Sequence, residues 1–313
     1  MSVEFEKDFL PIVEKARVPG KKMRVALAGA DSESILQGLF EAEADGFVEP
    51  ILVGNYKRIK EMVDRLGLSD RSFDIQPVDD STNVVQYAIE MIKAGSADAL
   101  MRGNTSTRDF LMPVLNKANH LLVKDALVTD VVMLNVPGYD RLLAISDVTL
   151  LIDPSADARV EVARNMVQVL KSFGVEKPNI ALLAMVETPS FHMRDTVEDQ
   201  TIVRKHQKEP IADCNLVGPI SYDLIISKEA ARLKNYDCPY CGEFDGIVVP
   251  NLMSGNLLVK VLEHNAGAMG GGVLAGARIP IAITSRSDLP EKAYLSLAAC
   301  AAMLKDKVYD KFA

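Results

Sequence analysis

Tryptophan is missing from the 313-residue chain, and cysteine and histidine occur only four times each. The missing tryptophan says nothing about function. Cys214, Cys238, Cys241 and Cys300 are too few to staple a chain of this length, so a reducing compartment is expected. His120, His192, His206 and His264 show no metal-ligand spacing and read as solvated surface. No window approaches ~18 consecutive apolar residues, so no membrane span is expected. The opening residues, MSVEFEKDFLPIVEKA, are acidic and lack the basic-then-apolar order of an export signal, and the cytoplasm is the expected location. Basic residues are in deficit too, with 35 Lys and Arg against 43 Asp and Glu and a net charge of −8. That balance excludes a general nucleic-acid binder, which needs cations along its surface to neutralise phosphates. One anionic ligand in a locally basic cleft stays compatible with it.

Several catalytic signatures are also absent. The run Gly270-Gly271-Gly272 precedes a strand-like segment, whereas a dinucleotide or P-loop motif follows a strand and opens a helix. NAD and ATP are therefore not expected. No Gly-x-Ser-x-Gly elbow is present to anchor a hydrolase triad. Cys238-Pro-Tyr-Cys241 has redox spacing but no thioredoxin-like strand–helix context, and a structural role is expected for it.

What is present is an ordinary globular composition, 48% hydrophobic and 25% charged, long enough for one large or two medium α/β domains. Residues 23–30 (MRVALAGA) read as a strand ending in a glycine turn, and residues 32–44 as the helix after it. Strand 48–54, helix 55–66 and strand 73–78 continue the alternation. Ser81 or Thr82 is expected to cap a helix with Val84, Val85, Ala88, Ile89 and Ile92 on one face. Strand 97–101 runs into RGNTSTRDF and a helix through Leu111, Val114 and Leu115.

Runs 126–136 and 141–152 flank the short turn Pro137-Gly138-Tyr139-Asp140 and are expected to pair antiparallel, marking a candidate boundary near residue 136. Asp147 lies inside the second run, so it needs a partner or lines a cleft. Helix 156–173 and strand 179–185 follow. Residues 187–209 read as a loop and surface helix, the stretch expected to move most. A strand at 244–250 then leads to a helix with Leu257, Leu258, Val261 and Leu262 on one face. A glycine-rich segment, 267–276, feeds the last strand.

Two stretches carry candidate chemistry. Residues 102–110 combine arginine, glycine and hydroxyls at a helix start, where backbone N–H groups favour anions. Within residues 278–288 the β-branched run 279–284 reads as a buried strand that stops at Ser285-Arg286-Ser287-Asp288, before a helix opened by Pro290. A hydroxyl, a guanidinium and a carboxylate are thus set at the C-terminal end of a strand, the edge where open α/β sheets gather ligands. An N-capped helix with a solvent-facing arginine is the competing reading.

Linked motifs extend this picture. Arg102-Gly-Asn-Thr-Ser-Thr107, Pro137-Gly-Tyr-Asp140, Gly218-Pro-Ile-Ser-Tyr-Asp223 and Ile226-Ser-Lys-Glu-Ala-Ala231 occur in order. Asp245-Gly-Ile-Val-Val-Pro-Asn251, Gly255-Asn-Leu-Leu and Ala275-Gly-Ala-Arg-Ile-Pro-Ile-Ala-Ile-Thr-Ser-Arg286 follow them. Across roughly residues 95–305 the chain resembles the phosphate acetyl/butyryltransferase family, with PGYDRLL and the shorter length closer to butyryl-type members. The resemblance implies two Rossmann-like α/β domains with an interdomain cleft, in an isocitrate/isopropylmalate dehydrogenase-like architecture. Residues 1–136 and 275–313 would form the first domain and 137–274 the second.

It also implies conversion of acyl-CoA and phosphate to acyl phosphate and CoA, with butyryl-CoA favoured over acetyl-CoA. No metal or tightly bound cofactor is implied; the resemblance implies coenzyme A as a substrate and a homodimer as the assembly. Arg286 would grip the phosphoryl group and Ser285 would donate to the developing oxyanion. Where the acetyl-type pattern carries a catalytic Asp, six residues past the Arg, this chain has Lys292. Asp288 or Glu291 would substitute without matching the pattern residue for residue, and Asp288 is the expected base. Arg102, Gly103, Thr105, Ser106, Thr107, Asn251, Gly255 and Asn256 would bind substrate. Met112 replaces an arginine common in relatives. The rival readings are a dehydrogenase of the same architecture, which would need an aspartate cluster and a nicotinamide site, and a non-catalytic CoA or phosphate binder.

Overall fold

Alternating strands and helices build an α/β fold in the computed structural model, which describes residues 9–80, 82–285 and 288–305. The chain divides into two units, Met1–Ala126 with Gly270–Ala313, and Leu127–Met269.

The first unit opens with α1 (Leu10–Arg17), β1 (Met23–Ala28), α2 (Glu33–Ala44), β2 (Val48–Gly54) and α3 (Tyr56–Arg65). It continues with β3 (Asp74–Pro77), α4 (Val84–Lys93), β4 (Ala99–Arg102) and α5 (Thr107–Leu115). In β1, Val25, Ala26, Leu27 and Ala28 are all buried, the continuous apolar pattern of a strand covered on both faces. It pairs parallel with β2 and β4, and β3 extends the sheet beyond β2. At the start of β4, Asp98 accepts from the backbone and side chain of Arg24 and from Lys21, tying β4 to β1. The cap of α4 differs from expectation. Ser81 lies outside the described residues, and Asn83 is the capping residue, its Oδ1 accepting from Val85 N and Gln86 N at 3.1 Å each. A side chain immediately before the first helical residue reaches those amides; Thr82 is one position too early.

The second unit contains β5 (Thr129–Asn135), β6 (Leu142–Ser146), α6 (Ala156–Ser172), β7 (Asn179–Leu183) and α7 (Arg194–Lys208). It is completed by β8 (Asn215–Ile220), α8 (Tyr222–Ile226), α9 (Lys228–Lys234), β9 (Gly246–Val248) and α10 (Leu252–Ala266). Its strand order is β5-β6-β9-β7-β8, with β5–β6 antiparallel and the remaining pairs parallel. Tyr139 in the turn after β5 donates to Phe244 O at 2.7 Å, and Arg141 pairs with Asp245 at 3.1 Å. Those two motif residues thereby hold the entry to β9.

The polar stretch around α7 is anchored by a buried ion pair, because Arg159 of α6 reaches Asp199 as well as Glu198. His206 is half-buried: its ring meets Cys214 O at 3.2 Å and accepts from Ile211 N at 3.3 Å, so it pins the end of α7 instead of lying free in solvent. The expected apolar face of α10 also divides. Gly255, Val259 and Leu262 are buried, whereas Leu257 and Val261 are exposed. The packed stripe rotates because Gly255 permits a close approach; a Cβ there would lie 2.6 Å from Asp147 O.

The chain then returns to the first unit through β10 (Met269–Ala275), β11 (Ile281–Ala282) and α11 (Pro290–Lys305). The glycine-rich segment, expected as a feeder loop, is itself a strand, antiparallel to β11. Packing explains it: a Cβ on Gly271 would sit 2.6 Å from Ser296 N of α11, and Gly272 N donates to Ser296 Oγ at 3.0 Å. Only a strand without side chains lets this helix approach so closely. β11 pairs parallel with β4, Ile281 opposite Leu100 and Ala282 opposite Met101, and that register sets up the site.

Candidate active site

Three strand ends of the first unit converge at the C-terminal edge of its sheet. Gly29, after β1, has φ +83° and donates to Val53 O at 3.0 Å. The loop after β4 lies directly over it: Gly103 N donates to Ala28 O at 2.9 Å and Asn104 N to Gly29 O at 2.8 Å. A Cβ on Gly103 would fall 2.1 Å from Gly29 O, so only glycine permits this contact. Thr105 follows, with its Cγ2 against Gly29. Ser106 caps α5, accepting from Asp109 N at 3.0 Å while its hydroxyl donates to the Asp109 carboxylate at 2.6 Å. Thr107 is the first helical residue and is exposed, as are Arg108 and Met112.

Arg102 ends β4 and is 6% exposed. Its Nε and Nη2 donate to Thr105 O at 3.1 and 2.7 Å, and Nη1 donates to Thr284 O at 2.8 Å. Thr284 Oγ1 returns a 2.6 Å bond to Arg102 O. The guanidinium expected to face substrate thus joins the loop after β4 to Thr284, 182 residues from Arg102 in the chain. Ser285 comes next, half-buried, with its N–H donating to Asp288 Oδ2 at 2.6 Å. The other oxygen of Asp288 faces Lys292 Nζ at 3.4 Å, so the lysine at the position of the expected catalytic Asp forms an ion pair with the substitute carboxylate. Arg286, the expected phosphoryl clamp, lies outside the described residues, as does Ser287. The structure therefore brings together Arg102, Gly103, Thr105, Ser285 and Asp288, with Ser106 and Thr107 at the adjoining helix start.

Asn251, Gly255 and Asn256 belong to the second unit, where Gly255 lies against Asp147 O and Asn256 reaches the next residue, Val148. Asn251 caps α10, its Oδ1 accepting from Ser254 N and Oγ at 3.0 and 2.9 Å. Asn256 Nδ2 donates to Val148 O at 3.2 Å. Asp147 is a buried carboxylate with four backbone donors, Asp130, Thr149, Leu150 and Leu151, at 2.6–3.0 Å. This resolves its sequence ambiguity in favour of a structural partner set.

A polar cluster that the sequence reading did not single out joins the ends of β7 and β8 to α9. Ser221 bonds Glu187 and, at 2.7 Å, Asp223; Lys234 meets Glu187 at 3.2 Å and Asp223 at 3.0 Å. The SYD motif contained these side chains, but their partners are distant in sequence. Burial and the neighbouring Cys238 push the Cys241 thiol up to about 12, opposing the thiolate that redox chemistry would need. All four cysteines are free thiols. Among the described residues, no group of three His, Cys, Asp or Glu side chains could hold a metal ion, and no helix is long and apolar enough to cross a membrane.

Known proteins resemble this chain in sequence and in fold. The structure superposes on a branched-chain phosphotransacylase from Enterococcus faecalis with a TM-score of 0.77 and 25% identity, covering 90% of this chain and 99% of that one. The phosphate butyryltransferase of Clostridium acetobutylicum is 30% identical over 96% of this chain and 99% of its own length. The phosphate acetyltransferase of Thermotoga maritima is 28% identical over 93% of this chain and 97% of its own. These likenesses define an acyltransferase. With residues 76–302 matching the model described as Phosphate acetyl/butaryl transferase, the chain belongs to the phosphate acetyl/butyryl transferase family.

Proposed function

We propose that this protein interconverts acyl-CoA and phosphate with acyl phosphate and CoA, favouring butyryl-CoA over acetyl-CoA. Coenzyme A enters as substrate, with no tightly bound cofactor. A cytoplasmic homodimer is part of the same reading. So is the assignment of residues 1–136 and 275–313, and of residues 137–274, as the two Rossmann-like domains of an isocitrate/isopropylmalate dehydrogenase-like architecture.

The observation that carries the proposal is the family match over residues 76–302, with Ser285 at the end of β11 beside the loop after β4. A phosphate oxygen attacks the thioester carbonyl, the C–S bond breaks, and CoA leaves as thiolate that takes up a proton. Such a step needs a cation to hold phosphate and a donor at the developing oxyanion. Arg286 takes the first role and Ser285 the second. In reverse, Asp288 accepts the thiol proton. Gly103, Thr105, Ser106 and Thr107 complete the substrate-binding set of the first unit, and Asn251, Gly255 and Asn256 serve the CoA portion.

The experiment is thiol release from butyryl-CoA and acetyl-CoA with and without phosphate. Phosphate-dependent release, faster with butyryl-CoA, is expected. Arg286→Ala should reduce turnover at least ~100-fold and weaken phosphate saturation. Release that ignores phosphate, or an Arg286→Ala enzyme with unchanged phosphate dependence, overturns the assignment.

A further inference from the structure

The peptide linking Thr284 to Ser285 is held from both sides. Its carbonyl oxygen accepts from Arg102 Nη1 at 2.8 Å, and its N–H donates to Asp288 Oδ2 at 2.6 Å. A trans peptide is planar, so gripping its oxygen and its hydrogen fixes the plane and the position of the Ser285 Cα. Asp288 is braced by Lys292, and Arg102 by the 2.6 Å bond from Thr284 Oγ1 to its own carbonyl. The other arm of Arg102 holds Thr105 O at 2.7 Å, so the same side chain sets the loop after β4. Arg102 and Thr284 are both buried, at 6% and 2% exposure.

We infer that Arg102 and Thr284 form a positioning latch that aims the Ser285 hydroxyl at the reacting carbonyl. Arg102 acts through the 284–285 peptide and does not carry the phosphate. The inference rests on the acyl-transfer reading and deepens it. Its physical basis is twofold. A donor aimed at a developing oxyanion works only if it is held in place before reaction, and a displacement of about 1 Å costs up to ~100-fold in rate. A buried guanidinium also needs acceptors; here backbone carbonyls supply them, which cancels dipoles that would otherwise repel an anion at this edge.

The test uses the full chain carrying Thr284→Val, Arg102→Lys, the double substitution and Thr284→Ser. Turnover and phosphate KM are read from phosphate-dependent thiol release, and amide hydrogen exchange is followed at residues 103–105 and 285. Thr284→Val and Arg102→Lys should each lower kcat about tenfold, with phosphate KM within about twofold of wild type. The double variant should be no slower than the slower single one, since both break one device. Thr284→Ser, which keeps the hydroxyl, should restore most of the rate.

A phosphate KM raised about tenfold in Arg102→Lys, with Thr284→Val at wild-type kcat, overturns the latch and makes Arg102 a phosphate ligand. Multiplying losses in the double variant, or a Thr284→Ser enzyme as slow as Thr284→Val, overturn it as well. If wild type releases no thiol, the acyl-transfer reading fails by itself. The latch is then judged on amide exchange: about tenfold faster exchange at Ser285 in Thr284→Val supports it, and unchanged exchange overturns it.

Discussion

The two units solve the same problem at their sheet edges with opposite charges. In the first, the cation Arg102 is buried and gathers the carbonyls of Thr105 and Thr284. In the second, the anion Asp147 is buried and gathers four amide hydrogens. A glycine serves each, Gly103 against Gly29 O and Gly255 against Asp147 O. The contrast shows how a latch sets the sign of an edge. Consuming carbonyls leaves the first edge favourable to an anion, whereas consuming amides removes the donors an anion would use. The proposed phosphate site is accordingly assigned beside Ser285 in the first unit and not beside Asp147.

The largest effect that could break this comparison is Asp147→Ala. It strands four donors in a buried loop and should cost about 3 kcal/mol or more in urea unfolding. A loss below about 1 kcal/mol would mean that water serves those amides and that Asp147 is no latch.

Asp98, at the opposite end of β4, offers a pH test within the first unit. Burial disfavours its charge, but bonds from Arg24 and Lys21 outweigh that and hold the carboxylate at about 2, below the ordinary 3.8. The folded pKa is depressed, so the contribution is complete above pH ~4 and disappears as pH falls towards ~2. Asp98→Asn should then cost about 2 kcal/mol at neutral pH, and its unfolding curve should converge on wild type in acid. A constant gap between the two proteins from pH 7 to 2 would show that Asp98 contributes packing and not charge.

The smallest effect is expected from Cys238→Ser with Cys241→Ser. Turnover should be unchanged, and stability should fall by about 1 kcal/mol because a hydroxyl replaces the buried Cys241 thiol. Loss of turnover in that folded variant would give the CPYC turn a chemical part and add a third functional region to the comparison.

Much of the fold was readable along the chain. The apolar runs of β1 and β2, the antiparallel β5–β6 pair and the proline opening α11 all stand where periodicity and punctuation placed them. The strand expected over residues 279–284, by contrast, extends only over Ile281–Ala282. The Asn83 cap and the half-buried His206 were local misreadings, each settled by one acceptor geometry. The pairing of Asp288 with Lys292, four residues apart at a helix start, was legible in principle from helical spacing.

Local pattern determined most element types, because period and capping depend on residues within a turn or two of one another. Linked motifs likewise determined the family. Tertiary structure alone decided that Gly270–Gly272 is a strand, since the reason is the approach of α11. It alone decided that Asp147 gathers Asp130 N among its donors and that Arg102 donates to the carbonyls of Thr105 and Thr284. Three of these contacts share one physical reason, because Ser296 against Gly271, Asp130 N on Asp147 and Thr284 O on Arg102 are each distant in sequence. The remaining donors to Asp147, at residues 149–151, are local, whereas only the parallel register of β4 with β11 sets Arg102 beside Thr284.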